Sequence, residues 1–294
     1  METRQILHHD GAHLSYWLSR PEGAEQSLVM LHGVASNHTR WSEFVTHSRL
    51  TASWNLLRPD LRGSGDSIFH GRINRSRWVA DLKAIMDHEA LPRVVLLGHS
   101  LGAEIALDFA AAYPDSVAGL ALIDPVFHKN LHGVLGWVRR LRYVLWMPVG
   151  LLSLANALGL RRRHYPPRDM YALDEKTRAT LRSTPGMKIA DLYINPLADL
   201  SYKSLANYMQ DVLAVVQPVP ELEAIDQPVL ALMSRGSSLS DRHRNEAQVR
   251  RMPNACIKIV DCDHWPLTEQ PEIVREIIDM WCEQQFEKSR LGDY

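Results

Sequence analysis

The segment best suited to chemistry in this 294-residue chain is Gly98-His99-Ser100-Leu101-Gly102. An apolar run, Arg93-Val94-Val95-Leu96-Leu97, precedes it, and a helix-forming run, Ala103-Glu104-Ile105-Ala106-Leu107, follows. A strand that turns at once into a helix pushes its corner residue clear of the sheet edge, and small residues on either side relieve the crowding there. A serine hydroxyl at such a corner is placed to act as a nucleophile. The helix behind it aims its N-terminus and free backbone N–H groups at the same point, which favours a developing oxyanion. The pentapeptide alone is weak, since such strings arise by chance and an ordinary strand–helix turn would also fit. Its setting carries the assignment.

The elements that must hold this corner alternate along the chain. Two short runs, residues 4–9 and 13–19, flank Asp10-Gly11, a pair that favours a tight hairpin turn. Buried runs follow at residues 27–32, 55–58, 94–98, 117–123, 229–234 and 257–261. Their near-continuous Val, Leu and Ile content suits a parallel sheet covered on both faces. Helix-like segments lie between them, at residues 77–89, 101–113, 241–251 and 271–285. The expected fold class is therefore α/β: a doubly wound, mostly parallel central sheet with helices on both sides. One interval breaks the rhythm. From Asp124 to about Ala224 no buried β-run appears, and a hundred residues are too many for a loop in a compact domain. An inserted helical cap is expected at residues 127–224, with residues 1–126 and 225–294 forming the core.

Composition narrows the function classes. There are 33 Lys+Arg against 34 Asp+Glu, a net charge of −1, so the chain as a whole offers no basic footprint for nucleic acid. The three cysteines, Cys256, Cys262 and Cys282, fit neither a disulfide framework nor a paired zinc motif. The first ten residues contain no apolar leader segment, and the longest apolar stretch, residues 144–160, is interrupted by Pro148, Gly150 and Asn156. A soluble protein of a reducing compartment, the cytoplasm, is expected.

With these residues in place the chain resembles the α/β-hydrolase superfamily over nearly its whole length, in the serine esterase and lipase-like branch that carries a helical cap. Leu31-His32-Gly33-Val34 follows a buried strand, where the family places its His-Gly oxyanion loop. The donors this implies are the backbone N–H groups of Val34 and Leu101. Asp60-Leu61-Arg62-Gly63-Ser64-Gly65-Asp66-Ser67 looks like the family's D-x-R-G-x-G-x-S turn, with Asp60 and Arg62 bracing the loop. Asp261-Cys262-Asp263-His264-Trp265-Pro266 is similar to the family's G-C-G-H-W-P segment, although the glycines are missing. The resemblance makes His264, one of 14 histidines, the general base for Ser100. His32 and His99, beside key backbone, are expected to be structural.

The pattern departs from the family at the triad acid. The family's commonest location is the loop after the strand at 229–234, which here reads Ser234-Arg235-Gly236-Ser237-Ser238-Leu239-Ser240, with Ser237 in the expected position. Asp124, which ends the strand one after the nucleophile, is the preferred substitute, because some lipases and dehalogenases of this fold hold their acid there. Asp241 is the second candidate, although Asp is favoured at a helix start for plain capping reasons. The absence of any acid is the third option. Asp226, before its strand, points the wrong way.

The cap would choose the substrate. Residues 134–147 mix bulky apolar side chains and arginines at helical spacing, which favours a helix packed on the core with snorkelling arginines over a lid touching a membrane surface. The expected activity is hydrolysis of a carboxylic ester of a hydrophobic small molecule through an acyl-enzyme, with no metal or organic cofactor. The same machinery would serve a lactone, a thioester, an amide or a vinylogous carbon–carbon bond. A non-catalytic binding protein that kept the fold is the alternative from a different class.

Overall fold

The computed structural model describes residues 2–162, 164–184, 186–193, 196–236 and 239–287. One eight-stranded sheet runs through it: β1 (Thr3–His9), β2 (Ala12–Ser19), β3 (Gln26–Leu31), β4 (Trp54–Pro59), β5 (Val94–His99), β6 (Val117–Ile123), β7 (Val229–Ser234) and β8 (Ala255–Val260). Their order across the sheet is β1-β2-β4-β3-β5-β6-β7-β8. β1 and β2 form the expected hairpin, and its turn takes positive φ at both Asp10 (44°) and Gly11 (70°). Aspartate and glycine are among the residues that accept this conformation, and its twist matches the flanking strands. β2 pairs antiparallel with β4, and every later pairing is parallel.

The runs of Val, Leu and Ile in the central strands have nowhere polar to point. β4, β5 and β7 are buried along their whole lengths, and alternate residues enter opposite cores. Val94 and Leu96 join Val229 and Ala231 on one face, against Trp78 and Phe109 of the helices Arg75–His88 and Leu101–Ala112. Val95 and Leu97 join Leu230 and Leu232 on the other, against Phe44 of the helix Ser42–His47 and Ile278 of Pro271–Cys282. The three-layer, doubly wound arrangement expected from the sequence is present. β8 departs from the buried pattern because it is the edge: only Val260 is buried, and Lys258 stands exposed on it, which discourages pairing with another chain.

Between β6 and β7 the described residues contain helices and no strand. The helices are Gly133–Ala157, Met170–Ser183, Ile189–Tyr193, Pro196–Asp199 and Leu205–Val215. The first continues through Pro148, whose ring removes one backbone donor on the exposed side. Among the described residues no helix is long and apolar enough to cross a membrane.

Candidate active site

Ser100 follows β5 directly and precedes the helix Leu101–Ala112, at φ 53° and ψ −117°, a conformation most side chains avoid. The two glycines of the pentapeptide make this corner possible. A Cβ on Gly98 would lie 2.4 Å from the Gly102 carbonyl oxygen, and one on Gly102 would lie 2.1 Å from that of Leu31. The strand and helix therefore approach closely enough to lift the hydroxyl above the carboxyl ends of the strands. Gly33 faces it: a Cβ there would stand 3.5 Å from that of Ser100.

Three side chains from three strand ends meet at this corner. His264 Nε2 lies 2.9 Å from Ser100 Oγ. On its other side, Nδ1 is hydrogen-bonded to Asp124 Oδ2. Asp124 follows β6 at φ 45°, and its second oxygen accepts the Ser234 N–H at 3.0 Å. One oxygen is thus tied to the neighbouring strand, which fixes the carboxylate while the other engages the imidazole. Asp241 is placed elsewhere. It caps the helix Arg242–Val249, accepting the Arg244 N–H at 3.0 Å. Ser237 lies outside the described residues. Beside it, Gly236 has the Asp263 carboxylate where its own Cβ would be, 2.1 Å away.

The remaining histidines of the motifs support the backbone. His32 is fully buried and its Nε2 accepts the Leu61 N–H at 3.1 Å, while Nδ1 donates to Gly33 O at 2.8 Å. Burial depresses its pKa to about 4, so the ring stays neutral and can fill both roles. His99 is likewise pushed to about 3, by burial first and then by His264, and its Nε2–H donates to the His264 carbonyl at 3.0 Å. It thereby holds the loop that carries His264. Asp60 accepts the His38 and Asp66 N–H groups, both at 2.7 Å, and Arg62 Nε pairs with Asp81 at 2.9 Å. Both brace the loop, as the sequence leads one to expect.

The loop after β3 carries the Val34 N–H, and the helix segment holds it from above. Arg168 Nη1 donates to Ala35 O at 2.8 Å and pairs with Asp199 at 2.7 Å. Asp211, whose carboxylate is paired with the buried Lys203, faces the Ala35 backbone. A second anchor is Arg40, whose Nη1 meets both oxygens of Asp174 at 2.6 Å and Thr268 Oγ1 at 2.9 Å, with Tyr193 in the same buried cluster. Neither anchor is visible in the sequence, because partners 133 and 134 positions apart carry no shared motif.

Beneath the helices, Ser100 and His264 open into a cavity of about 520 Å³. Val126, Leu135, Met170, Val212, Val215 and Trp265 give it apolar walls, and Arg40, Arg168 and Asp199 add charge at one side. A neighbouring cavity of about 550 Å³ shares Ala35, Ser36, Arg168 and Asp199 with it, so the Arg168–Asp199 pair stands in the partition. Among the described residues no group of three or more His, Cys, Asp or Glu is gathered as a metal ligand set.

A strand–serine–helix corner, a histidine bridged to a strand-end aspartate and a His-Gly loop facing them define a class, and sequence comparison agrees with it. The Alpha/beta hydrolase family matches residues 28–277, and the chain belongs to that family. Lipase LipV of Mycobacterium tuberculosis is 34% identical over 105 residues, 36% of this chain and 39% of LipV. A Haemophilus influenzae protein provisionally described as an esterase/lipase is 24% identical over 256 residues, 84% of this chain and 79% of that protein. The chain spans between 30% and 39% of the length of the curated relatives it matches first. Among solved structures, a thermophilic esterase from Thermogutta terrifontis superposes with a TM-score of 0.68 at 22% identity, covering 96% of this chain and 99% of the esterase, which shows a shared fold.

Proposed function

We propose that the protein is a serine hydrolase that cleaves a carboxylic ester of a small molecule with an apolar acyl part. The observation that carries this reading is the 2.9 Å contact between Ser100 Oγ and His264 Nε2, a distance suited to proton transfer. Ser100 attacks the ester carbonyl while His264 takes its proton. Asp124 holds Nδ1–H and stabilises the imidazolium. The oxyanion is received by the Val34 and Leu101 N–H groups, which donate to no carbonyl among the described turns and loops. His264 then protonates the departing alcohol and activates the water that releases the acid.

Residues 127–224 act as a cap over the core formed by residues 1–126 and 225–294. Their apolar lining of the cavity supports an acyl group there, beside the nucleophile. Cys256, an exposed free thiol, supports the cytoplasm as the compartment.

A fluorophosphonate probe tests the nucleophile. Wild-type protein should label and Ser100→Ala should not; folded wild-type protein that stays unlabelled would remove the enzyme reading and leave a binding protein. A series of p-nitrophenyl esters of rising chain length, run beside lactones and thioesters, then assigns the bond. Esters of medium acyl length should give the highest kcat/KM.

A further inference from the structure

The helix Gly133–Ala157 has two apolar faces, and only one is covered. Leu135, Val138, Leu145 and Trp146 pack against the core, and Val149 is buried among them. On the other face Trp137, Leu141, Val144, Met147, Leu151 and Leu154 follow one another in steps of three or four residues, each between 49% and 67% exposed. Leu158 and Leu160 extend the stripe beyond the helix end at 73% and 76% exposure. Single exposed leucines are ordinary, but a stripe along about five turns is a contiguous patch that marks an interaction surface.

Charge identifies what covers it. From Pro125 to Arg168 the sequence contains no Asp or Glu, but one lysine and seven arginines. Among the described residues, Arg139, Arg140, Arg142, Arg161 and Arg162 have no carboxylate within ion-pair distance. Arg140 and Arg142 lie instead over the rings of Trp137 and Tyr143, at 5.3 and 4.5 Å. A second copy of this face would set cations against cations. An anionic lipid surface supplies the missing countercharge and an acyl boundary for the leucines.

We propose that this helix docks the protein on anionic bilayers, lying in the headgroup plane with its outer stripe toward the acyl chains. The first turn of the same helix, at Gly133, Val134 and Leu135, lines the Ser100 cavity. A lipid ester lifted from the surface therefore enters beside the nucleophile without crossing bulk water. That last step rests on the esterase reading; the docking does not.

The test uses the full chain with Ser100→Ala, so that vesicles stay intact. In flotation assays it should bind phosphatidylcholine vesicles containing phosphatidylglycerol at least about tenfold more tightly than phosphatidylcholine alone, and high salt should erase the difference. Adding Leu141→Glu/Leu151→Glu should reduce binding about tenfold or more. In the otherwise wild-type enzyme the same pair should leave p-nitrophenyl acetate turnover and the melting temperature unchanged, because both leucines face solvent. No binding to either vesicle, or equal binding by the glutamate pair, overturns the proposal. So does a vesicle-free dimer in sedimentation that the glutamate pair dissolves, which would assign the face to a second copy. If the Ser100→Ala protein binds anionic vesicles while the wild type turns over no ester, the docking stands and the hydrolase reading falls.

Discussion

Asp124 carries its carboxylate from a left-handed backbone position, φ 45°, where aspartate and asparagine are the side chains best tolerated. Asparagine at 124 would therefore keep the turn and still accept the Ser234 N–H. Its amide would present a donor to His264 Nδ1 and force the wrong tautomer on the ring. Asp124→Asn should lower kcat on p-nitrophenyl butyrate by about 10⁴-fold with little change in melting temperature. A rate within tenfold of wild type would remove Asp124 from the mechanism. The pentapeptide glycines make an opposite forecast. Gly102→Ala has no room beside the Leu31 carbonyl and should cost about 3 kcal/mol of stability, read by urea unfolding. Ser100 and these glycines were legible because their constraint is local: a strand, a corner and a helix in consecutive residues. Asp124 was preferred over Asp241 on family precedent alone, since both sit at element ends; the structure brings Asp124 to the imidazole and leaves Asp241 capping its helix.

At the scale of elements, the strands were readable because buried parallel strands admit almost only apolar residues, and five such runs stand out; β8 reads the same from its Ile and Val although it is a half-exposed edge. The helix Ser42–His47 and the extent of Gly133–Ala157 were not, the first because it is short and the second because Pro148 and Gly150 look like stops. What binds the helical insertion to the core was also hidden. Arg40, Asp174, Tyr193 and Thr268 come from four separate elements, and Thr268 lies four residues after His264, so their cluster ties these helices to the loop of His264. Burial raises the Asp174 pKa, and Arg40 opposes that effect. Asp174→Ala would strand a buried guanidinium and should cost about 3–5 kcal/mol, or release the insertion to limited proteolysis before global unfolding. Arg40→Met/Asp174→Leu removes both charges and should recover most of that loss. If the double variant is no more stable than the single one, the pair is not what holds the insertion down.

Over the whole molecule, stability should depend on pH through Glu269. Burial, together with Asp263 and Asp124, raises its pKa from 4.5 to about 7, against the lowering effect of the Asp263 N–H. The folded chain then holds a proton that the unfolded chain has released between pH 4.5 and 7. Raising pH through that window therefore favours unfolding, and the contribution is complete only below pH 4.5. Glu269→Gln mimics the protonated form and keeps an acceptor for the Asp263 N–H. It should melt higher than wild type at pH 8, by an amount on the order of 1 kcal/mol given its partial exposure, and match wild type at pH 4. Equal melting temperatures at both pH values would refute this. The comparison between the two proteins is needed because buried His32 and His99 act in the opposite sense, losing stability as pH falls.

The three strand ends that converge above the sheet are supplied at residues 100, 124 and 264, and that spacing has a consequence during synthesis. A ribosome adds about 5–20 residues per second, so the hydroxyl leaves the exit tunnel many seconds before its imidazole. β5 and β6 can pair early, yet β7 and β8 must be translated and laid beside them before His264 arrives. The growing polypeptide thus carries Ser100 without its histidine partner through a long stretch of synthesis, and the two meet only when the sheet closes its last edge.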